Sequence, residues 1–192
     1  MKRADLATFA ATFADDDDPW QTFTARDEAI KRSAIVHAVG PHRLGRVYEL
    51  ASGNGSNSKA LITRAMRLDA VEGTAEGTKL TQHALRAEPR ARALHLPLPA
   101  RSPRAGYDCI VIAELLYYLT QRQMHRVAIE TDRIARPGTR LVLAHHTIDF
   151  HDFSQHAHGI HGRFLSSLTR FGALRTVRRT SKWIVQVASA CR

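Results

Sequence analysis

Two short stretches constrain the fold of this chain more than any other feature. Residues 108–113 (DCIVIA) and 139–145 (TRLVLAH) are nearly unbroken apolar runs. Strands covered on both faces at the centre of a parallel sheet carry this pattern. Between them Thr120 and Gln123 form a capping box, and Met124, Val127, Ala128, Thr131 and Ala135 recur at helical spacing up to a Pro137-Gly138 stop. A buried strand, an amphipathic helix and a second buried strand make a βαβ unit, which needs helices on both sides of the sheet.

The same alternation runs through the rest of the chain. Upstream, the pattern predicts strands at 46–51, 70–73 and 91–96 and helices at 57–67 and 76–87. Pro97, Pro99 and Pro103 then disfavour a helix, so one crossover is expected as coil. Downstream, a helix at 163–171 precedes strands at 174–179 and 182–190, the second with Trp183, Val185 and Val187 at period two, and these two are expected to pair antiparallel. The expected class is α/β: a Rossmann-like, doubly wound, mostly parallel seven-stranded sheet with one antiparallel strand near the C-terminus.

Ahead of the sheet, residues 1–14 suit a short helix with Leu6, Phe9, Ala10 and Phe13 on one face, broken by solvated acidic residues 15–18 and by Pro19. Thr24 with Asp27 reads as a capping pair for a helix to Val39, closed by Gly40 and Pro41. A length of 192 residues suits one domain, with residues 1–40 as an N-terminal helical lid and 41–192 as the core.

Composition removes several classes. Hydrophobic residues at 44% against 24% charged imply a packed core. There is no apolar run of the roughly 18 residues a membrane span requires and no secretory leader pattern, so a cytoplasmic protein without a membrane partner is expected. Cys109 and Cys191 suggest neither a disulfide framework nor a metal set and are expected as reduced thiols. The net charge of +10 attracts anions and brings nucleic acid into consideration. The basic residues are scattered along the sequence, however, and no nucleic-acid-binding motif is present, so that partner is not favoured.

Chemistry concentrates at the strand ends. Residues 47–55 (VYELASGNG) join the first core strand to a helix, where backbone amides and the helix dipole can receive a polar ligand; Gly53 and Gly55 suit either close ligand approach or a plain tight turn. Glu72 ends the next strand, where a carboxylate can accept both hydroxyls of an adenosine ribose or can simply be solvated. Glu114 follows the central strand. Together these positions point to a nucleoside ligand. The reading requires Glu72 to face a cleft and the space above Gly53 to be clear of bulky side chains.

Residues 49–55 (ELASGNG) resemble methyltransferase motif I, E/D-x-G-x-G-x-G, with Ala51 in place of the first glycine. Residues 108–119 (DCIVIAELLYYL) resemble the FDLIVxxEVLYYL segment of the NodS-like methyltransferases, the family of the rhizobial nodulation N-methyltransferase. Residues 17–20 (DDPW) with Glu28 and Lys31 resemble that family's D-P-W and E-x-x-R opening, and residues 136–138 (RPG) its PGG stop. The resemblance spans about 17–190 and implies S-adenosyl-L-methionine as cofactor. It places Glu49, Ala51, Ser52, Gly53 and Gly55 around the methionine part, Glu72 and Gly73 at the ribose, and Lys31 against the cofactor carboxylate. His95 falls where the family has an aspartate beside the adenine, the Leu96 amide is left to bond the ring, and Trp20 is either part of a lid or a core aromatic.

Methyl transfer to an amine requires a group that takes the amine's proton. Glu114 and His145 are the candidates, with Tyr117 as an orienting hydroxyl; Glu114 also suits the cofactor side, and Tyr117 and Tyr118 also suit packing. Six histidines between 145 and 161 (His145, His146, His151, His156, His158, His161), with Asp149 and Asp152, match no compact metal motif, so no metal is expected; His161 is an alternative base. The leading expectation is N-methylation of a small-molecule acceptor such as an amino sugar. Small-molecule O-methylation, a nucleic-acid-binding or RNA-modifying protein, and a nucleoside-binding fold without chemistry remain alternatives, and oligomeric state is left open.

Overall fold

In the computed structural model, which describes residues 4–191, seven strands form one sheet: β1 (Leu44–Leu50), β2 (Ala65–Glu72), β3 (Ala91–His95), β4 (Tyr107–Ala113), β5 (Ala135–His146), β6 (Arg175–Arg179) and β7 (Trp183–Ser189). Their order is β3-β2-β1-β4-β5-β7-β6, and β7 runs against the other six. The chain winds outward from β1 to β3 and returns beside β1 as β4. This reversal opens a crevice at the carboxyl ends of β1 and β4, where ligands bind in sheets of this kind.

The helices are α1 (Leu6–Asp15), α2 (Arg26–Val39), α3 (Ser56–Leu61), α4 (Ala75–Ala84), α5 (Gln121–Ile134) and α6 (Ile160–Leu165). Alternate residues of each central strand feed two cores. On one face Ile35 of α2 and Leu61 of α3 meet Val47, Val111, Val142 and Val185. On the other, Met124 and Val127 of α5 and Phe164 of α6 meet Tyr48, Ile110, Ile112, Leu141 and Leu143. Both faces being covered is why β4 and β5 lack alternation in the sequence. No helix among the described residues is long and apolar enough to cross a membrane, and both cysteines are free.

The α5 capping box forms as expected, with Thr120 and Gln123 bonding each other's backbone amides. No helix links β3 and β4, again as the prolines predict. Several boundaries differ. The helix expected over 57–67 ends at Leu61, and a single 3-10 turn (Ile62–Arg64) leads into β2 at Ala65. Pairing of Ala65 with Leu44 takes these residues into the sheet, so tertiary pairing overrides a local helical pattern. Helix α5 stops at Ile134 rather than reaching Pro137, because the residue before a proline is driven to extended backbone and Ala135 already pairs with Tyr107. The helix expected over 163–171 lies at Ile160–Leu165 instead.

At the N-terminus, α1 begins at Leu6 on an Asp5 cap; residues 1–3 of the expected helix lie outside the described residues. Helix α2 has Ala25, not Thr24, at its cap, without a side-chain bond, and Asp27 and Glu28 face the amide dipoles of the first turn instead. Nor is the acidic run merely solvated. Asp18 Oδ1 accepts from Thr22 N, Thr22 Oγ1 and Asn54 Nδ2, and Oδ2 from Phe23 N. One carboxylate therefore ties the N-terminal segment to the loop that follows β1.

Candidate active site

The β1–α3 loop is built on left-handed backbone. Ala51, Gly53 and Gly55 have φ of 54°, 59° and 84°. Glycine is needed at 55, since a Cβ there would stand 2.9 Å from both Ala84 Cβ and Thr81 Cα of α4. Thr81 locks the loop from below: its hydroxyl donates to Gly53 O at 2.9 Å and lies 3.0 Å from Ser52 Oγ. Glu49 is fully buried and accepts from Ser58 Oγ; burial, with a smaller push from Glu72, lifts its carboxyl to about 8 against the Ser58 bond. Glu49 thus supports the loop from beneath.

Glu72 projects from β2 toward the same loop. Its Oε2 accepts from Gly53 N at 2.9 Å, and Oε1 from Thr74 N at 3.0 Å and Thr74 Oγ1 at 3.2 Å. Burial raises its pKa above the usual carboxylate range, while bonds from Gly53 and Thr74 offset part of that rise. A carboxylate and a left-handed glycine therefore face each other across the ends of β1 and β2, as a nucleoside site requires.

The space above them is not clear. Phe13 Cζ lies 3.7 Å from where a Gly53 Cβ would stand, Phe13 Cε2 3.0 Å from the equivalent point on Gly77, and Leu6 Cδ2 2.8 Å from that on Gly73. This departs from the requirement set by the sequence, and the cause is specific: the residues over the loop come from α1, not from the sheet core. Trp20 joins the same group, its ring edge-on to Phe13 with centroids 5.3 Å apart, and it is half exposed rather than a core aromatic. The apolar stripe expected on the first helix has found its partner on top of the candidate cleft.

Leu96 departs from its expected role, and His95 is tied to the residue that follows β2. The Leu96 amide donates to Glu72 O at 2.7 Å, which removes it as an adenine contact, and the His95 ring bonds Gly73 O at 3.0 Å. Lys31 is not a free cation for a carboxylate. Buried in α2, it binds Glu28 at 2.8 Å and Glu114 at 2.7 Å; burial alone would favour the neutral amine, but the two carboxylates outweigh it and hold the lysine charged.

Glu114 follows β4 with φ of 51°, an uncommon conformation for a non-glycine residue. Besides Lys31 it receives the Tyr117 hydroxyl and, at 2.9 Å, His146 Nδ1. Burial opposes ionisation, but the Lys31 charge and the bond from His146 hold its carboxyl well below the usual range. So stabilised an anion is a poor proton acceptor. Tyr117 is buried, stacked on Phe153 with centroids 3.7 Å apart, and its hydroxyl is taken up by Glu114.

His145 does not fit the role of base. It is fully buried, and its Nε2 accepts from Leu115 N at 3.2 Å and Leu116 N at 3.0 Å. With that lone pair engaged, Nδ1 carries the proton and donates to His161 Nε2 at 2.9 Å, whose own Nδ1 meets Gln186 Oε1 at 2.8 Å. Burial and the neighbouring His161 keep His145 neutral, and burial holds His161 down at about 4 despite the Gln186 bond. Both rings are structural.

The residue the sequence did not single out is His146. It is half-buried at the end of β5, and because Glu114 is an acceptor, its Nδ1 donates the bond between them. Strand parity was the available signal: adjacent histidines on a strand face opposite sides, so only one of the two can reach a given site. The remaining histidines of this region diverge, His156 pairing with Asp149. Among the described residues, no three His, Cys, Asp or Glu side chains converge as a metal set.

No protein-family model matches the chain, and no curated protein sequence matches it significantly. Solved structures do. The N-methyltransferase NodS from Bradyrhizobium japonicum WM9, in complex with S-adenosyl-L-homocysteine, superposes with a TM-score of 0.82 at 16% identity over 96% of this chain and 97% of that one. The DhpI–SAH complex gives 0.75 at 17% identity over 97% and 95%. The CurJ carbon methyltransferase gives 0.75 at 15% identity, covering 98% of this chain and 62% of that one. At these identities the likeness establishes the fold: this chain is built on the same Rossmann-like sheet as these methyltransferases.

Proposed function

We propose that the chain is an S-adenosylmethionine-dependent methyltransferase that methylates an amine on a small molecule. The observation that carries this reading is the Glu72 carboxylate, at the end of β2, set against the amide of Gly53 in the loop that follows β1 beside the topological switch of the sheet. The neighbours solved with S-adenosylhomocysteine share that sheet. Glu72 would hold the ribose hydroxyls, the backbone from Ala51 to Gly55 the amino-acid part, and Gly73 with the His95 ring would border the base. These groups fit the cofactor once α1 is displaced, since Phe13 and Leu6 are what covers them. The lid is then α1 alone and not the whole of residues 1–40, because α2 belongs to the core through Ile35 and Val39.

Bound S-adenosylmethionine supplies a methyl group activated by a sulfonium. The chain's own contribution is position, dryness and a proton acceptor. His146 Nε2 takes the proton of the acceptor ammonium, freeing its lone pair for in-line attack. Glu114 fixes the tautomer through Nδ1 and stabilises the imidazolium that forms. Lys31 and Tyr117 hold Glu114 in place. Phe153 and Tyr118, edge to face at 5.1 Å, and Phe9 against Tyr118 at 4.9 Å, wall the region from water.

The preference for nitrogen rests on this histidine–carboxylate pair, which suits deprotonation of an ammonium, and on the likeness of residues 108–119 to the NodS-like segment. Calorimetry with S-adenosylhomocysteine tests the reading. Micromolar binding that falls by at least 100-fold in Glu72→Ala is expected, because bonds to a charged group contribute about 1.5–3 kcal/mol each. Absence of binding by the intact chain at high micromolar ligand removes the assignment.

A further inference from the structure

At the opposite end of the sheet from the candidate cleft lies a groove of about 600 Å³ between the end of α2, β5, β7 and the segment entering β6. Three guanidinium groups line it, from Arg64, Arg140 and Arg175, together with the His37 ring, and no carboxylate side chain does. Two of the three are fixed by the turn between α2 and β1. Arg64 Nη1 donates to Pro41 O at 2.6 Å and Arg140 Nη1 to Val39 O, so each fork is held by one N–H while its others remain available. Elsewhere, Arg90, Arg92, Arg133 and Arg136 are matched with Glu88, Asp69, Glu130 and Asp108. The groove arginines have no such acidic partner among the ion pairs of the described residues.

The charge continues beyond the groove. Residues 153–192 hold six arginines and Lys182 but no Asp or Glu, which is seven of the ten net positive charges in one fifth of the sequence. On β6, Arg175 and Arg178 pair with Val187 and Val185, placing both on the face covered by α2, which is the face of the groove.

We propose that this groove and the adjoining β6 edge bind the phosphodiester backbone of a nucleic acid, at a site separate from the methyl-transfer cleft. Pre-positioned guanidinium forks match phosphate oxygens in a bidentate manner. A row of arginines running out of an open groove suits a string of phosphates better than a single anion. A membrane surface fits less well, because none of the large exposed apolar side chains (Leu6, Trp20, Phe23, Met66, Ile129, Ile148, Phe150) lines the groove, and surface-bound proteins insert such groups. From Arg140 to His146 along β5 is roughly 20 Å at about 3.3 Å per residue, so a strand held here is anchored away from the reacting centre.

The test is fluorescence anisotropy of a labelled 20-nucleotide single-stranded RNA with the full chain over a salt series. The variant Arg64→Gln/Arg175→Gln/Arg178→Gln is compared with a control of equal charge, Arg101→Gln/Arg122→Gln/Arg126→Gln. The groove variant is expected to bind at least 30-fold more weakly, with a slope of log K against log salt shallower by about 2, since each phosphate contact on a single strand contributes about 0.7. The control is expected to stay within about 3-fold of the parent. Equal weakening by both variants overturns the site in favour of diffuse charge. Failure of the parent to bind RNA at 50 mM salt, while vesicles containing 30% phosphatidylserine do bind, overturns it in favour of a membrane. S-adenosylhomocysteine affinity, read on the same samples, should be unchanged in the groove variant; its absence in the parent removes the methyltransferase reading and leaves the groove result standing.

Discussion

Truncation of Phe13 to alanine is expected to tighten cofactor binding, the opposite of what loss of a buried ring ordinarily does to a ligand site. The ring is only 6% exposed, and what it touches is Gly53, Gly77 and Trp20, on the ground a nucleoside needs. Ligand and ring therefore compete, and the apparent dissociation constant is raised by the fraction of molecules with α1 closed. Burial of a phenylalanine side chain contributes about 1.5–3 kcal/mol. At 1.4 kcal/mol per tenfold, its loss lowers the closed-to-open ratio by about 10- to 150-fold, and affinity for S-adenosylhomocysteine rises by up to that factor. Calorimetry on parent and Phe13→Ala reads the affinity, and stopped-flow binding should show the association rate rising with it. Leu6→Ala should act in the same direction but less, because Leu6 is 46% exposed. Weaker binding by Phe13→Ala would mean that the ring is part of the ligand's own roof, and unchanged binding that α1 lies off its path. Either result ends the argument for displacement.

Three further outcomes follow from the site. With an acceptor amine in hand, His146→Gln should lower kcat by about 10²- to 10⁴-fold in single-turnover assays while leaving S-adenosylhomocysteine affinity unchanged; an equal loss in His145→Gln with full folding would transfer the role to the buried ring. Glu49 has its folded pKa raised from 4.5 to about 8, so the stability it contributes is fully present below pH 4.5 and is lost as pH rises through about 8. Glu49→Gln should therefore raise Tm at pH 8 relative to the parent, with a smaller change at pH 5, in thermal melts across that range. Ala51→Gly should stabilise the chain by up to about 1 kcal/mol in urea unfolding, because alanine at φ of 54° carries a steric cost that glycine lacks.

The parts of this molecule written in local pattern were readable from sequence, and the parts set by tertiary competition were not. Residues 109–113 and 141–144 announce a doubly covered sheet because consecutive positions are apolar without alternation, and the two cores show why. The Thr120–Gln123 box fixes the start of α5 through bonds within one turn. By contrast, residues 65–67 carry a helical pattern and lie in a strand, because pairing with β1 outweighs propensity. Ala51 reads as an ordinary small residue in the sequence, yet its backbone sits at φ of 54°, where alanine carries a steric cost that glycine does not.

For side chains the divide is similar. Glu72 and Gly53 were legible because each ends or follows a strand, and strand ends fix position. Lys31, Leu96 and His145 carried the right chemistry but were already engaged, and such prior engagement is invisible until partners from distant segments are known: Glu114 is 83 residues from Lys31, and His145 is 16 from His161. Choosing His146 over His145 needed only one residue of strand parity, but also the knowledge that Leu115 and Leu116 turn their amides inward.

The charge layout joins these observations. A sulfonium donor and an ammonium acceptor are both cations, and a chain with a net charge of +10 would repel them were its charge uniform. It is not uniform. At the carboxyl ends of the strands Lys31 is outnumbered by Glu28 and Glu114, leaving that cluster net negative, and Glu72 adds a further carboxylate nearby. Arginine without an acidic partner among the ion pairs of the described residues is carried instead on β6 and around the groove, by Arg64, Arg140, Arg175 and Arg178. Opposite ends of one sheet are thus suited to ligands of opposite sign. Because fields between exposed charges fall off over about 8–10 Å in physiological salt, sites roughly 20 Å apart along β5 can hold these opposing preferences without cancelling them.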